Sequence, residues 1–180
     1  MAIENPWHDV EIGEQAPYIC NAIVEIPKHS TKKYELDKET GLLKLDRFMY
    51  SAVHYPADYG FIPKTLWYDD DPLDVFILTH SPVVPLCLCK IKILGVIRMV
   101  DDSEADDKII AVHTADPRYR DFNTLDSLPK HYMAELRNFL ETYKMLEKKE
   151  VKIFEVLGKD EACKSIQEAQ RMYREKFNSE

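Results

Sequence analysis

The sequence lacks any apolar run that approaches the roughly 20 residues needed to cross a bilayer. Its first ten residues are polar and carry Glu4, His8 and Asp9. They therefore lack the apolar stretch of a secretory signal and the Arg/Ser-rich, acid-poor composition of a transit peptide. These absences predict a cytoplasmic protein that makes no use of a membrane.

A zinc site is also missing. The four cysteines are Cys20, Cys87, Cys89 and Cys163. Cys87 and Cys89 would point the same way on one strand, but no second pair completes a four-ligand site. We therefore interpret the cysteines as buried, reduced thiols.

The chain has no excess of positive charge. Its formal net charge is −8, whereas a protein that binds nucleic acid usually presents a basic face. The acidic balance does not exclude an anionic substrate, because carboxylates that hold divalent cations can turn an acidic pocket into a phosphate site.

Internal repeats and low-complexity linkers are absent as well. The length of 180 residues suits one domain with a substantial core. A composition that is 45% hydrophobic and 31% charged is ordinary for a globular protein. We expect a single domain over residues 1–180.

The first two thirds of the chain contains short β-strand patterns. Apolar or alternating segments predict strands at residues 22–26, 33–36, 42–45, 75–78, 90–99 and 108–112. Gly41 closes a turn-like segment at 37–41, where it can supply a positive φ. The acidic loop 101–107 separates the last two strands, which we expect to pair. Many short strands at this spacing predict a small barrel or sandwich.

Helical patterns come late in the chain. From Leu128 to Lys149 apolar residues recur at three- and four-residue spacing, and Pro129 fits a first helical turn. This stripe comprises Met133, Leu136, Leu140, Tyr143 and Leu146. A second helix is predicted from Asp160 to Phe177, with inward-facing Ile166, Ala169, Met172 and Tyr173. The predicted fold is a β-barrel with helices packed on it.

Four carboxylates lie within six residues around Pro72: Asp69, Asp70, Asp71 and Asp74. Carboxylates this close repel one another, so cations or solvent must compensate them. Carboxylate oxygens are the hard ligands that Mg²⁺ prefers. The cluster is therefore a candidate metal site.

Two structural alternatives compete with that interpretation. An EF-hand calcium loop needs Gly at its sixth position and Glu at its twelfth, where this segment has Asp74 and His80, so we reject it. A solvated acidic turn stays open. However, an apolar strand follows directly, and Asp74 shares strand parity with Phe76 and Leu78. An aspartate at the mouth of a core-facing strand favours a role in a site.

The remaining polar groups have ordinary interpretations when taken singly. The acidic segment 101–107 is typical of a solvated loop, although Asp106 and Lys108 share a face if a strand begins there. The basic and tyrosine side chains could be surface cations and core aromatics. In one cleft with carboxylates, the same groups would supply what phosphoryl transfer to water requires: metals that hold the water, and cations and phenols that neutralise phosphate oxygens.

The residues resemble the family I soluble inorganic pyrophosphatases over nearly the whole chain. The family signature (Asp, small or polar, Asp, Pro, aliphatic, Asp, aliphatic) stands here at residues 69–75. Other landmarks follow in family order: Val24-Glu25-Ile26-Pro27, Lys33-Tyr34-Glu35, Asp46-Arg47, Tyr55-Pro56 with Tyr59-Gly60, Asp101 through Asp106 to Lys108, and Tyr143-Lys144. A short signature alone could mislead, but this ordered set makes coincidence a poor explanation.

The resemblance implies a fold and an activity. The fold would be α+β with a mainly β core: a five-stranded OB-like β-barrel with two principal helices packed outside and the site at the barrel mouth. The activity would be hydrolysis of pyrophosphate to two phosphates by direct attack of a metal-activated water, with several Mg²⁺ ions per site. This reaction would drive biosynthetic reactions forward. The resemblance also implies a homo-oligomer, with no nucleic acid or membrane as partner.

The resemblance further implies residue roles. The metal ligands would be Asp69, Asp74, Asp101 and Asp106. Asp71 resembles the general base and Glu25 an acidic contact to metal-bound water. The rest of the catalytic set would bind phosphate: Lys33, Arg47, Tyr59, Tyr143 and Lys144. Supporting polar residues would be Glu35, Tyr55 and Lys108.

The chain departs from the common family pattern at several positions. Asp70 stands where Gly or Asn is frequent, Leu86 replaces a glycine expected after Pro85, and Lys90 stands where arginine is usual. Thr142 replaces a histidine found in some hexameric bacterial members, which leaves the size of the oligomer open.

Three other functions stay as alternatives. A metal-dependent phosphohydrolase of another phosphoanhydride would use similar catalytic parts, although no nucleotide-binding glycine loop supports it. A nucleic-acid-binding module on an OB-like barrel would need a basic groove with stacking aromatics, and here the aromatics are interleaved with carboxylates. A catalytically inactive homologue conflicts with the intact set of acidic, basic and tyrosine positions.

Overall fold

The computed structural model describes residues 3–177. Along the chain these residues form α1 (Pro6–Asp9), β1 (Ile19–Ile26), β2 (Lys32–Leu36), β3 (Leu43–Phe48), β4 (Asp58–Phe61), β5 (Asp74–Leu78), β6 (Leu88–Asp101), β7 (Glu104–Ala105), β8 (Lys108–His113), α2 (Lys130–Thr142), β9 (Val151–Gly158) and α3 (Lys159–Phe177). Short 3₁₀ turns lie at Leu125–Ser127 and Met145–Glu147. Within this range, no helix is both long and apolar enough to span a bilayer.

Seven of the strands form one sheet, and β2 and β3 form a separate antiparallel hairpin. In the larger sheet the order is β1-β4-β5-β8-β6-β7, while β9 pairs with β6 and β1 also pairs with β6. The strands β1, β4, β5, β8 and β6 therefore close into a ring. Only the β5–β8 contact in this ring is parallel. The predicted α+β class with a mainly β core is confirmed.

The core lies on both faces of the ring. Val75 and Ile77 of β5 pack in one apolar cluster together with side chains of α3. Phe76 and Leu78 pack in another cluster, which includes side chains of α2. This alternation is the strand parity expected from the sequence. It places Asp74 at the end of the face that Phe76 and Leu78 share.

Several predicted elements agree with the structure. The α3 helix begins one residue before the predicted start, and it buries Ile166, Ala169 and Tyr173, with Met172 partly buried. The predicted β6–β8 pairing is present. Gly41 has φ +69°, and a Cβ at this residue would lie 2.0 Å from the Glu4 carbonyl oxygen. The turn between β2 and β3 therefore requires glycine for conformation and for space.

The long helix predicted over residues 128–149 is wrong beyond Thr142. Lys148 has φ +58°, and the chain continues into β9, a strand that the sequence patterns did not predict. Leu146, assigned to the buried helical stripe, is 62% exposed. By leaving the helix here, the chain turns Tyr143 and Lys144 toward an aspartate at the end of β6. Tertiary contacts thus override an apolar repeat that continues in the sequence.

Strand β4 was also missed, because the sequence patterns predicted no strand between residues 45 and 75. Gly60 lets β4 lie directly on β1, since a Cβ there would come within 1.9 Å of the Ile23 carbonyl oxygen. Asp58 opens the strand with a fully buried carboxylate, which accepts hydrogen bonds from the backbone N–H groups of Lys28 (2.7 Å) and Val83 (3.2 Å). Burial raises the pKa of Asp58 to about 6. This carboxylate ties β4 to two neighbouring loops.

Candidate active site

A pocket of about 520 Å³ opens between the ring of strands and the β2–β3 hairpin. It brings together most of the residues predicted for the site: Glu25, Lys33, Glu35, Tyr59, Asp69, Asp71, Asp74, Asp101, Asp106, Lys108, Tyr143 and Lys144. The exceptions are Arg47, which lies beside the pocket on β3, and Tyr55, which packs behind Tyr59 with 5.6 Å between ring centroids.

One wall of the pocket is acidic and comprises Asp69, Asp71, Asp74, Asp101 and Asp106. Lys108 contacts two of these carboxylates. Residues 74 and 108 are direct partners in the parallel β5–β8 pairing, and the Lys108 Nζ lies 2.5 Å from Asp74 Oδ2. The same ammonium contacts Asp106. The shared strand face proposed for these two residues is not the reason, because β8 begins only at Lys108. Tyr59 donates a hydrogen bond of 2.5 Å to the Asp74 oxygen that Lys108 contacts.

The electrostatics of this group reflect its burial. Burial raises the pKa of Asp74, because the ionised carboxylate loses hydration. Burial would lower the pKa of Lys108, but the carboxylates of Asp106 and Asp74 outweigh it and the net pKa is raised well above the usual value. Lys108 is therefore a permanent cation that holds two aspartates at fixed positions.

Asp101 is the last residue of β6 and also lines the pocket. Lys144 forms an ion pair with its Oδ2, and the Tyr143 hydroxyl donates to that oxygen at 3.2 Å. Tyr143 is itself fixed by stacking on Phe139, with 5.2 Å between ring centroids. The other oxygen, Oδ1, is buried without a hydrogen-bond partner among residues 3–177. Asp101 thus presents one free acceptor oxygen.

The aspartate loop gives its members different environments. Asp69 accepts a hydrogen bond from the Asp71 N–H (3.2 Å), and burial followed by the nearby charge of Asp74 raises the pKa of Asp69 to about 7. Asp71 is half exposed and forms an ion pair with Lys38 at 2.5 Å. Each carboxylate therefore faces the pocket with a different degree of hydration.

Asp70 is the outward member of the loop. It has φ +65° and forms an ion pair with Lys176 at the surface. Gly, Asn and Asp tolerate this left-handed conformation better than other residues do. The family preference for Gly or Asn at this position is therefore explained by the backbone, and Asp70 meets the same requirement without entering the pocket.

Glu25 reaches the pocket through an irregularity in β1. The register against β4 shifts between residues 24 and 26, so Glu25 occupies a bulge, a feature that redirects a side chain. Its buried carboxylate accepts a hydrogen bond of 2.6 Å from the Leu36 N–H of the hairpin. Burial, with a smaller contribution from Asp74, raises the pKa of Glu25 to about 8.

Two backbone hydrogen bonds between β1 and the turn at Leu86 support the bulged segment. The Leu86 N–H donates to the Val24 carbonyl (2.7 Å), and the Val24 N–H donates to the Cys87 carbonyl (3.1 Å). Leu86 has φ +62°, which explains why the family pattern has glycine here. Leu86 therefore adopts a strained backbone conformation while its N–H group makes a hydrogen bond to β1.

The hairpin supplies the basic wall of the pocket. Lys33 lies 3.3 Å from Glu35 and 3.5 Å from Asp46, so both carboxylates orient its ammonium. Arg47 donates from Nε to Asp46 at 2.7 Å and from Nη1 to Glu147 at 2.6 Å. The predicted cations are thus present, but each is held by protein carboxylates.

Sequence reasoning missed Lys38, Lys44 and Glu147. Lys38 and Lys44 line the pocket from the hairpin, while Glu147 lies beside it and contacts Arg47 across 100 positions of sequence. No local pattern distinguishes these residues from surface charges. The only signal was position, since Lys38 lies in the predicted turn at 37–41 and Lys44 in the predicted strand that follows it.

The donor groups fit a hard divalent cation. Within residues 3–177 no three His, Cys, Asp or Glu side chains lie close enough together to hold a metal ion as they stand. Lysine ammonium groups occupy the carboxylates instead. However, the predicted ligands are all oxygens in one pocket. One Asp101 oxygen has no hydrogen-bond partner in the described part of the chain. Burial, and then neighbouring carboxylates, raise the pKa of Asp69 and Asp74, so a bound cation would favour their ionised forms.

Comparisons with known proteins agree with this geometry. Residues 22–174 match the family model described as inorganic pyrophosphatase. The chain is 49% identical to soluble inorganic pyrophosphatase 2 of Chlamydomonas reinhardtii, over 96% of this chain and 90% of that protein. It is 50% identical to soluble inorganic pyrophosphatase 4 of Arabidopsis thaliana, over 94% of this chain and 78% of that protein.

A solved structure gives the same result for the fold. The crystal structure of inorganic pyrophosphatase from Thermus thermophilus superimposes with a TM-score of 0.90 at 32% identity, covering 94% of this chain and 99% of that one.

Proposed function

The chain belongs to the inorganic pyrophosphatase family and is an inorganic diphosphatase, and we propose that it hydrolyses pyrophosphate in the pocket between the ring and the hairpin. The observation that carries this location is the division of one pocket into an acidic wall and a basic wall. A polyanion that must bind through divalent cations needs both. Removal of pyrophosphate would draw biosynthetic reactions forward.

We propose Mg²⁺ as the cofactor, with several ions held by Asp69, Asp74, Asp101 and Asp106. Bound Mg²⁺ would supply charge that activates the attacking water and offsets the phosphate oxygens. Lys108 and Lys144 keep three of these carboxylates in place through their ion pairs. The unpartnered Oδ1 of Asp101 supports its place in the set.

Asp71 is our candidate for the general base. Its carboxylate lines the pocket and stays half exposed, so water can reach it. It would accept the proton of the water that attacks phosphorus directly, without a covalent enzyme intermediate. Glu25, with its pKa raised to about 8, would act as a second acidic contact to water.

The phosphate-binding set would be Lys33, Arg47, Tyr59, Tyr143 and Lys144. Each of these side chains contacts a carboxylate in the structure. Phosphate oxygens would compete for the same donors when substrate binds. The supporting residues would act one step back: Glu35 orients Lys33, Tyr55 packs behind Tyr59, and Lys108 holds Asp74 and Asp106.

The larger organisation follows from the same family membership. We propose one catalytic domain over residues 1–180, which the match over residues 22–174 supports. The closed ring supports an OB-like β-barrel with α2 and α3 outside. Exposed apolar side chains such as Phe48 and Phe154 support a homo-oligomer. The relatives are named soluble inorganic pyrophosphatases, which supports a cytoplasmic location.

A matrix of substrates and metals tests the proposal. Phosphate release would be measured with pyrophosphate, ATP and tripolyphosphate, each with Mg²⁺, Mn²⁺, Zn²⁺ or a chelator. We expect rapid turnover of pyrophosphate with Mg²⁺ and none with chelator. Full activity without divalent metal would contradict the metal role. A preference for ATP or tripolyphosphate would instead identify a phosphohydrolase of another phosphoanhydride.

A further inference from the structure

Glu147 carries a mostly buried carboxylate whose place in the molecule the proposed chemistry leaves unexplained. Its side chain is only 11% exposed. Oε2 accepts the Arg47 Nη1 hydrogen bond at 2.6 Å, while Oε1 is buried and has no hydrogen-bond partner within residues 3–177. A buried carboxylate with half its acceptors unused is costly, so stability is a weak explanation for its presence.

The turn that carries Glu147 also carries Tyr143 and Lys144. The Glu147 N–H donates to the Lys144 carbonyl (3.0 Å), and the Lys149 N–H approaches the same oxygen at 3.4 Å. One compact turn therefore directs Lys144 to Asp101 in the acidic wall and Glu147 to Arg47 in the basic wall. The position of Arg47 is coupled by this turn to the rest of the site.

The Arg47 guanidinium donates hydrogen bonds to two carboxylates. Asp46 accepts from Nε at 2.7 Å and Glu147 accepts from Nη1. Within residues 3–177, Nη2 makes no hydrogen bond to a protein acceptor. Because a guanidinium is planar and its donors are fixed in a fork, two carboxylates on Nε and Nη1 determine where Nη2 points.

We propose that Glu147 is a positioning residue for substrate binding, which fixes the Arg47 guanidinium so that Nη2 meets a phosphate oxygen of pyrophosphate. This inference rests on the proposed role of Arg47 in phosphate binding. Asp46 holds the near end of the guanidinium from the adjacent residue, and Glu147 fixes the far end from a different part of the fold. Without Glu147, Arg47 keeps its charge and loses its orientation.

Steady-state kinetics with pyrophosphate at saturating Mg²⁺ tests this role. We expect Glu147→Ala to raise KM about tenfold with kcat changed by less than about twofold, because a charge-assisted contact is misaligned. Glu147→Asp, one methylene shorter, should behave in the same way. Glu147→Gln keeps an acceptor oxygen for Nη1 and should stay within about twofold of the original KM. Glu141→Ala is the matched control, since it breaks an Arg–Glu pair (2.9 Å) on the exposed face of α2.

A double-mutant cycle separates positioning from an independent effect. Arg47→Ala should raise KM, and Glu147→Ala added to it should raise KM no further. A KM unchanged in Glu147→Ala and Glu147→Asp, but raised in Arg47→Ala, would overturn the inference and leave the role of Arg47 intact. A KM unchanged in Arg47→Ala would instead remove Arg47 from the proposed phosphate-binding set.

Two further outcomes also decide against the inference. Additive effects in the cycle would show that Glu147 acts independently of Arg47. A KM lowered by Glu147→Gln would show that the negative charge of Glu147 opposes the substrate. If Glu147→Ala does not fold, as a thermal melt would reveal, the Asp and Gln variants carry the test.

Discussion

The two walls of the pocket differ in how firmly the protein holds their charges. The acidic wall belongs to the ring of strands, and its central cation Lys108 has a side chain that is 5% exposed. The basic wall belongs to the separate β2–β3 hairpin, where the side chain of Lys33 is 28% exposed and that of Lys44 is 56% exposed. Burial is the physical difference between the walls.

The hairpin depends on a few polar links to stay over the site. A two-stranded sheet is marginally stable by itself. Here it is tied down by the Glu25 bond to the Leu36 N–H, by the Lys38–Asp71 pair and by the Arg47–Glu147 pair. The acidic wall is therefore built on the buried ring, whereas the basic wall depends on polar links such as these to keep its place. We expect changes in the first to act on turnover, and changes in the second to act on substrate affinity.

The largest effect should come from the acidic side. Asp71→Asn and Asp74→Ala should each lower kcat by at least about 100-fold, because they remove the proposed base and a proposed metal ligand. Phosphate release at saturating pyrophosphate and Mg²⁺ measures this. Asp70→Asn is the matched control and should retain activity, since its side chain faces solvent. Substantial turnover in Asp74→Ala would break the assignment of this wall.

Burial of Asp58 in the ring should also make the free energy of unfolding depend on pH. The pKa of Asp58 is about 6 in the folded chain and 3.8 as the reference for the unfolded chain. Between these values the folded state binds more protons, so the stabilisation present below about pH 4 is lost as the pH rises through 6. We expect a full loss of about 3 kcal/mol in the free energy of unfolding.

Asp58→Asn isolates this contribution. It keeps an acceptor for the Lys28 and Val83 N–H groups but does not titrate. The difference in unfolding free energy between the original protein and this variant, measured in urea from pH 4 to pH 7, should fall as the pH rises. Lys28 and Cys89 are the other titratable groups coupled to Asp58. A difference that stays constant, or grows with pH, would contradict the effect of burial at this carboxylate.

A substitution in the basic wall should affect binding more than chemistry. Lys33→Ala should raise KM for pyrophosphate roughly tenfold, because one charge-assisted contact to phosphate is lost, with a smaller change in kcat. Lys32→Ala, on the same strand but outside the pocket lining, serves as control. If Lys33→Ala instead lowers kcat as strongly as Asp71→Asn does, the distinction between the two walls fails.

The smallest effect concerns strain in the turn that precedes β6. Leu86→Gly should raise the free energy of unfolding by roughly 0.5 kcal/mol, since relief of a left-handed non-glycine residue outweighs the added chain entropy. Leu88→Gly is the control: Leu88 is also exposed (55%, against 44% for Leu86) but lies in β6, so this substitution should destabilise the protein. Urea unfolding measures both. A destabilised Leu86→Gly would indicate that packing of the Leu86 side chain outweighs the strain.

Local sequence patterns predicted much of the fold and brought most of the site residues to attention. The period of two in β5 predicted that Asp74 shares a face with Phe76, and the period of 3.6 in α3 predicted its buried side. The helical repeat failed after Thr142 because the residues that follow make their contacts with Asp101 and Arg47, which are distant in sequence. Strand β4 was not predicted because its residues show no alternating pattern. Its conformation is determined by the close approach of Gly60 to β1.

The sequence by itself determined which chemical groups this protein has and the order in which they stand, since carboxylates near a strand end and a glycine in a tight turn express local chemistry. Only the tertiary structure decided which of those charged groups pair with one another. The parallel pairing of β5 with β8 sets Lys108 against Asp74, and the turn after α2 sets Glu147 against Arg47. These partners are far apart along the chain, so their interaction energies depend on burial and distance, which no local pattern contains.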